Sequence, residues 1–284
     1  MRRNFPQWLK TGILHGKTLL KTEGLLEQYG LNTICTSAKC PNRGECYAKS
    51  TATFLIMGDT CTRNCRFCAV QKGIPKSLES EEPKKIAEVV KGLGLKYVVI
   101  TSVTRDDLED GGASHFARVI REIRWENPEV KVEVLIPDFQ GSAEALKIVL
   151  DARPDVLNHN LETVPRLYRT VRPKADYKRS LQILLMSKVI NPKIPTKSGL
   201  MLGLGESKEE IIEVMEDLRK IECDFLTLGQ YLAPSKNHLP IKRYVLPEEF
   251  EMLKEIALKL GFKGVASGPL VRSSYKASEL FKTI

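Results

Sequence analysis

Six of the seven cysteines in this chain fall between residues 35 and 68. Cys61, Cys65 and Cys68 form CTRNCRFC, a CxxxCxxC spacing, and Cys35, Cys40 and Cys46 form CTSAKCPNRGEC. A secreted disulfide scaffold would be short and cysteine-dense throughout. Here a long cysteine-poor chain follows a cysteine-dense head, a pattern that in a reducing cytosol more often binds metal than forms disulfides. Three thiolates this close can wrap a cube of iron and sulfide. Such a cube has four irons, so one is left open to a substrate or cofactor. Zinc is the competing occupant, but structural zinc sites usually close with four ligands, and no fourth Cys or His follows Cys68 at knuckle spacing. For the first set, a zinc loop would need a distant ligand such as His15. Cys223 stands alone and reads as a small buried hydrophobe. His115 and His238 are assigned no role.

The elements that must position these residues emerge from periodicity. Residues 1–50 show no strong pattern and read as an irregular N-terminal extension organised by metal. Strand signals follow at Ala52–Met57, Tyr97–Val103, Lys131–Ile136, Val156–Asn160, Gly199–Gly203 and Phe225–Gln230. Helix signals alternate with them at Pro83–Lys91, near 113–125, from Ser142, at Ser180–Val189, from Ser207 and from Pro247. Ser207 with Glu210 three residues on is a capping box. Strands that alternate with helices imply parallel pairing through crossover helices. Six such repeats are too few for a full barrel of about 250 residues, and an open partial (β/α)6 barrel or a doubly wound sheet both fit. In either, the site lies at the C-terminal ends of the strands, where Cys61–Cys68 follows the first strand.

At 284 residues and 42% apolar content the chain can bury one sizeable core. A net charge of +9 favours acidic partners: nucleic acid, an acidic carrier protein or a phosphorylated small molecule. The charge is mixed in sign along most of the chain, so much of it reads as solvated helix face. No apolar run reaches about 18 residues, so no membrane span is expected. No apolar stretch follows Arg2-Arg3, so no export signal is expected either, and the location expected is cytoplasmic.

CxxxCxxC with the aromatic Phe67 before its last cysteine resembles the motif of the radical S-adenosylmethionine enzymes. The upstream CTSAKCPNRGEC, TSVTRDDLEDGGASHF, LIPDFQG, LNHNLETV, GLMLGLGE, QYLAPS and GPLVRSSY extend the resemblance over nearly the whole chain, to the lipoyl synthase family. The resemblance implies two 4Fe–4S clusters and S-adenosylmethionine. The open iron at Cys61, Cys65 and Cys68 binds and cleaves the cofactor, giving a radical that abstracts hydrogen. The second cluster, at Cys35, Cys40 and Cys46, supplies two sulfurs to carbons 6 and 8 of an octanoyl chain. That chain is carried on a lysine of a lipoyl carrier domain, a 2-oxoacid dehydrogenase subunit or the glycine cleavage H protein. An electron donor such as ferredoxin or flavodoxin is implied as well.

The resemblance also implies site residues. A serine of RSSY ligates the second cluster: Ser274 matches, with Ser273 its immediate alternative. The tail would then fold back over the barrel mouth, as a short C-terminal segment. Asp110, Gly111 and Gly112 follow the second strand, where the family binds the cofactor's amino group, although the usual Gly-Gly-Glu string is absent. Gly199 and Gly203, with Glu206, resemble the family's GxIxGxxE element, whose glycines let a flat adenine approach the backbone. A simple turn before the helix explains them too. By their place alone, Asn158, Asn160 and Glu162 end a strand, where their polar groups could meet the ribose, while His159 alternates with them and points away. Arg172 lies in the basic stretch Arg166–Arg179, most of which reads as a solvated face, and is kept as a carboxylate-binding candidate. The expected organisation is a cluster-bearing extension at 1–50, a barrel at 51–245, and a C-terminal helix and tail at 246–284.

Two other functions compete. A radical methylthiotransferase acting on transfer RNA would share two clusters and a basic surface, but would need an RNA-binding module after the barrel. A zinc-dependent nucleic-acid-binding module would need basic–aromatic alternation, and aromatics are only 7% of the chain. Nucleic acid is therefore not expected as a partner.

Overall fold

The computed structural model describes residues 5–10, 12 and 16–283. His15 and Arg2-Arg3 lie outside the described residues.

The strands are β1 (Thr53–Ile56), β2 (Thr60–Cys61), β3 (Gln71–Lys72), β4 (Tyr97–Ser102), β5 (Lys131–Leu135), β6 (Val156–Asn158), β7 (Thr196–Leu202), β8 (Phe225–Gln230) and β9 (Gly264–Gly268). Seven of them form one sheet in the order β1-β4-β5-β6-β7-β8-β9, and every neighbouring pair is parallel. Strand order therefore follows chain order from edge to edge, with none of the reversals that mark a doubly wound sheet. The short β2, which carries Cys61, and β3, which follows Cys68, pair separately.

The helices are α1 (Lys17–Gln28), α2 (Ile34–Ser37), α3 (Arg43–Ala48), α4 (Glu82–Leu93), α5 (Ala113–Glu126), α6 (Ala143–Asp151), α7 (Tyr168–Val171), α8 (Tyr177–Ile190), α9 (Lys208–Lys220), α10 (Pro247–Lys259) and α11 (Ala277–Phe281). Local chemistry sets their ends. Pro83 pre-sets the first turn of α4 and Gly94, at φ 65°, stops it. Ser207 and Glu210 close the expected capping box on α9. Strand residues such as Ile100, Val134 and Leu228 meet Ile86, Phe116 and Phe250 in one core. Each such burial contributes about 1.5–3 kcal/mol.

Three expectations need correction. The sheet has seven strands, not six, and it runs past residue 245, because β9 pairs with β8. Its sequence, Gly264-Val265-Ala266-Ser267-Gly268, carries no apolar run. A side chain on Gly264 would press against Leu280 and Phe225, so packing demands glycine where a sequence pattern would ask for a branched residue. The N-terminal extension is not irregular: α1, α2 and α3 occupy much of residues 17–48. Thr22 of α1 donates to the Tyr47 carbonyl at 3.0 Å, and the Tyr47 hydroxyl pairs with Thr33 at 2.7 Å. Leu55 N donates to Asn32 O at 2.9 Å, so this helical unit covers the free edge of β1. Finally, β7 begins at Thr196, not Gly199. Its first three residues are polar yet buried, and Lys197 reaches Glu133 at 2.9 Å inside the sheet.

Candidate active site

The second cysteine set hangs from the C-terminal end of β1. Met57 leaves the strand at φ 67° and Gly58 at φ 91°. The turn is held because Met57 N donates to the Glu82 carboxylate at 2.9 Å, which also pairs with His115 at 2.6 Å. Within the loop, Cys61 Sγ accepts from Arg63 N at 3.4 Å and from Thr104 N at 3.3 Å. The Arg63 side chain is buried and reaches Asp106 at 2.8 and 2.9 Å and Asp138 at 2.5 Å. This guanidinium thus ties the cysteine loop to the segments after β4 and β5. His238 Nε2 donates to the Cys68 carbonyl at 3.1 Å, fixing the loop's other end.

Above the strand ends lies a cavity of about 730 Å³. Its wall includes Cys61, Cys65 and Cys68 from one set and Cys35 and Cys40 from the other, together with Arg272, Ser273 and Ser274. Cys46, on α3, is not part of this wall. All these thiols are free of disulfides. Burial pushes Cys35 up to about 11 and both Cys46 and Cys68 up to about 12. Burial raises Cys65 too, while the Arg172 guanidinium pulls the other way. A metal loaded here must therefore displace thiol protons.

Several sequence-predicted residues meet at this wall: Asn160, Glu162, Arg172 and Gly199. Arg172 donates to the Asn160 and Leu161 carbonyls at 3.0 and 3.1 Å. Burial works against its charge, but Tyr168, Glu162 and Cys65 hold its pKa above the ordinary value. Burial raises the Glu162 carboxyl, although Arg172 opposes it. Asn158 lies one layer deeper, bonded to Glu133 at 3.1 Å and to Ser273 at 2.7 Å.

Other candidates are engaged elsewhere. The Asp110 carboxylate accepts from Gly112 N at 2.9 Å and Ser114 N at 2.7 Å and so organises the start of α5. Asp110, Gly111 and Gly112 do not line the cavity; Ser102, Val103 and Thr104 line it instead. Gly203 packs beneath Gln230 and the Arg243 carbonyl, and Glu206 accepts from Gly203 N at 2.5 Å and Leu204 N at 2.9 Å. The turn before α9 thus uses both.

His159 was expected to point away, yet it lines the cavity. Strand geometry ends at Asn158, so alternation no longer governs the next side chain. Arg63 and Asp138 were also missed, since nothing in the spacing pairs residues 75 positions apart. An arginine between motif cysteines and an aspartate just after a strand were the only signals.

A family model described as the Radical SAM superfamily matches residues 55–218. The lipoyl synthase of Caldanaerobacter subterraneus subsp. tengcongensis is 61% identical over 96% of this chain and 95% of its own. That of Caldicellulosiruptor saccharolyticus is 58% identical over 100% of both. The chain belongs to the lipoyl synthase family. Among solved structures, HydG, a maturase of the FeFe-hydrogenase, matches with a TM-score of 0.60 and 15% identity over 87% of this chain and 63% of its own. Methylornithine synthase (PylB) matches with a TM-score of 0.55 and 17% identity over 88% of this chain and 70% of its own. Likeness at such identity speaks to the fold alone.

Lipoyl synthases of the radical SAM superfamily use S-adenosylmethionine and two 4Fe–4S clusters, and the cavity fits such groups. Three buried polar atoms on its wall lack a partner among the described residues: Ser102 Oγ, His159 Nε2 and Arg172 Nε. A side chain on Gly199 would collide with Thr227 and come within 3.0 Å of Asn160 Oδ1, so glycine keeps this stretch of wall open. Among the described residues no helix is long and apolar enough to cross a membrane.

Proposed function

We infer that this protein is a lipoyl synthase, which inserts sulfur at carbons 6 and 8 of an octanoyl group held on a lysine of a lipoyl carrier domain. The observation that carries this reading is one cavity walled by cysteines of both sets and by the tail serines. A reaction that moves sulfur onto an unactivated carbon needs the hydrogen-abstracting and sulfur-donating centres to face the same substrate. When bound, the clusters and S-adenosylmethionine supply a radical for C–H abstraction and the sulfur that replaces hydrogen.

The chain's own residues hold and shield these groups. Cys61, Cys65 and Cys68 hold the cluster that binds S-adenosylmethionine, and Arg172, Asn160 and Glu162 orient the cofactor's polar groups. Cys35, Cys40 and Cys46 hold the sulfur-donating cluster, with Ser274 as its fourth ligand. Supporting Ser274 over Ser273, the Ser273 hydroxyl is engaged by Asn158 at 2.7 Å and Asn160 at 3.4 Å. A serine oxygen is a weaker hold on iron than thiolate, which suits a cluster that must be opened. The tail at the cavity mouth excludes water from a carbon radical.

The chain-order winding of the sheet supports a curled partial barrel. We read residues 1–50 as the segment of the sulfur-donating cluster and the barrel as extending through β9, with the tail closing it. The carrier is a 2-oxoacid dehydrogenase subunit or the glycine cleavage H protein, and a ferredoxin or flavodoxin supplies electrons. The transfer RNA methylthiotransferase reading is not favoured, since the two relatives named above are lipoyl synthases that match over 95% or more of both chains.

The test is anaerobic reconstitution followed by incubation with S-adenosylmethionine, reductant and an octanoylated lipoyl-domain peptide. Mass spectrometry should record the gain of two sulfurs. A peptide that stays octanoylated while the cofactor is cleaved would overturn the assignment.

A further inference from the structure

The segment between β9 and α11 carries the tail serines, and three side chains from distant parts of the chain grip it. Asn42 Nδ2 donates to the Leu270 carbonyl at 2.7 Å. The Tyr275 hydroxyl donates to the Glu45 carboxylate at 3.1 and 3.2 Å. Asn158 Nδ2 donates to Ser273 Oγ at 2.7 Å. Asn42 and Glu45 lie between Cys40 and Cys46, within the spacing of the first cysteine set. That spacing therefore carries the tail's anchors as well as the thiols.

The grip has a direction. Asn158 is itself oriented, because its amide also donates to Glu133 Oε1 at 3.1 Å, and Glu133 is held by Lys197 at 2.9 Å and Tyr97 at 2.6 Å. A buried network of this kind rigidifies what it touches, here through the Asn158 amide nitrogen, which serves both Glu133 and Ser273. With Ser273 turned down onto Asn158, Leu270 fixed by Asn42 and Tyr275 fixed by Glu45, Ser274 lies between fixed points and on the cavity wall.

We propose that Asn42, Glu45 and Asn158 are positioning residues that clasp residues 270–275, so that the fold itself, rather than the iron, presents Ser274 to the first cysteine set. The role of Ser274 rests on the reading above; the clasp does not. Preorganisation matters here because a weak ligand cannot also order a loose chain end.

Hydrogen exchange at residues 270–277 tests the clasp. It is measured on the full chain loaded with clusters and again after iron chelation. Wild type should stay protected in both states. After chelation, Asn42→Ala combined with Tyr275→Phe should exchange about tenfold faster or more in this segment, with β5 unchanged. Glu45→Gln keeps an acceptor for Tyr275 and should behave as wild type. Lys49→Ala removes only the Lys49–Glu45 ion pair at 2.7 Å and should also behave as wild type. In the loaded enzyme, Asn42→Ala should lower lipoyl formation about fivefold or more while changing S-adenosylmethionine cleavage less than about twofold. Unchanged exchange in the double variant, or an equal fall in cleavage and sulfur insertion, would overturn the proposal. Ser274→Ala should keep wild-type exchange after chelation, and a tail released by this change would also overturn it. Full lipoyl formation by that variant would sink the ligand assignment while leaving the clasp standing.

Discussion

His159 shows how one side chain's role is set by its neighbours. Its Nδ1 faces the Ile136 carbonyl at 2.9 Å. A carbonyl only accepts, so the proton sits on Nδ1 and Nε2 is a bare acceptor in the cavity wall. Burial, reinforced by the nearby Arg172 charge, lowers its pKa to about 4. An unfolded histidine titrates near 6.5, so between these values the unfolded chain binds the extra proton. The stability that neutral His159 contributes is therefore complete above about pH 6.5 and is lost as pH falls toward 4. Denaturant unfolding should find wild type losing roughly 2–3 kcal/mol more than His159→Gln between pH 7.5 and 4.5. Parallel pH profiles for the two proteins would refute this. A lone histidine flanked by asparagines gave no hint of this in the sequence, because the tautomer depends on a carbonyl 23 positions away.

At the scale of elements, the end of β8 and the tail are fitted to each other through the absence of a side chain. A carbon on Gly229 would collide with the Val271 carbonyl oxygen, which is backbone and has no rotamer to escape through. Gly229→Ala should destabilise the protein by about 1–3 kcal/mol through overpacking. It should also speed hydrogen exchange across residues 270–275. A melting curve and tail exchange both equal to wild type would show that the contact yields freely. Strands β4, β5 and β8 were legible because they are short runs of branched and apolar residues flanked by helical patterns. The start of β7 was hidden by Thr196, Lys197 and Ser198, polar residues that the interior satisfies with Glu133 and Asp224. The short α2 and α3 escaped because four to six residues are too few to display a helical period.

For the whole molecule, the two cysteine sets imply two centres with separate tasks on one cavity. Iron and sulfide analysis of anaerobically prepared protein should give two 4Fe–4S clusters per chain. Replacing Cys61, Cys65 and Cys68 by Ala should abolish 5′-deoxyadenosine release. Replacing Cys35, Cys40 and Cys46 should remove sulfur insertion and leave S-adenosylmethionine cleavage measurable. Lipoyl product from the second triple variant, read by mass spectrometry, would rule out that centre as the sulfur source.

The sequence by itself determined the chemistry. Thiolate spacing is local, so two three-cysteine sets, the reaction class and the family can all be read along the chain. It also determined an alternating α/β order, because strand and helix periods are local too. The tertiary structure decided which residues share a wall. It brought His159 in, left Asp110 and Gly203 to organise turns, joined Arg63 to Asp138 and set the tail against Asn42, Glu45 and Asn158. The physical reason is range: caps and periods act within a few residues, whereas Asn158 and Ser273 meet across 115 positions and only folding makes them neighbours.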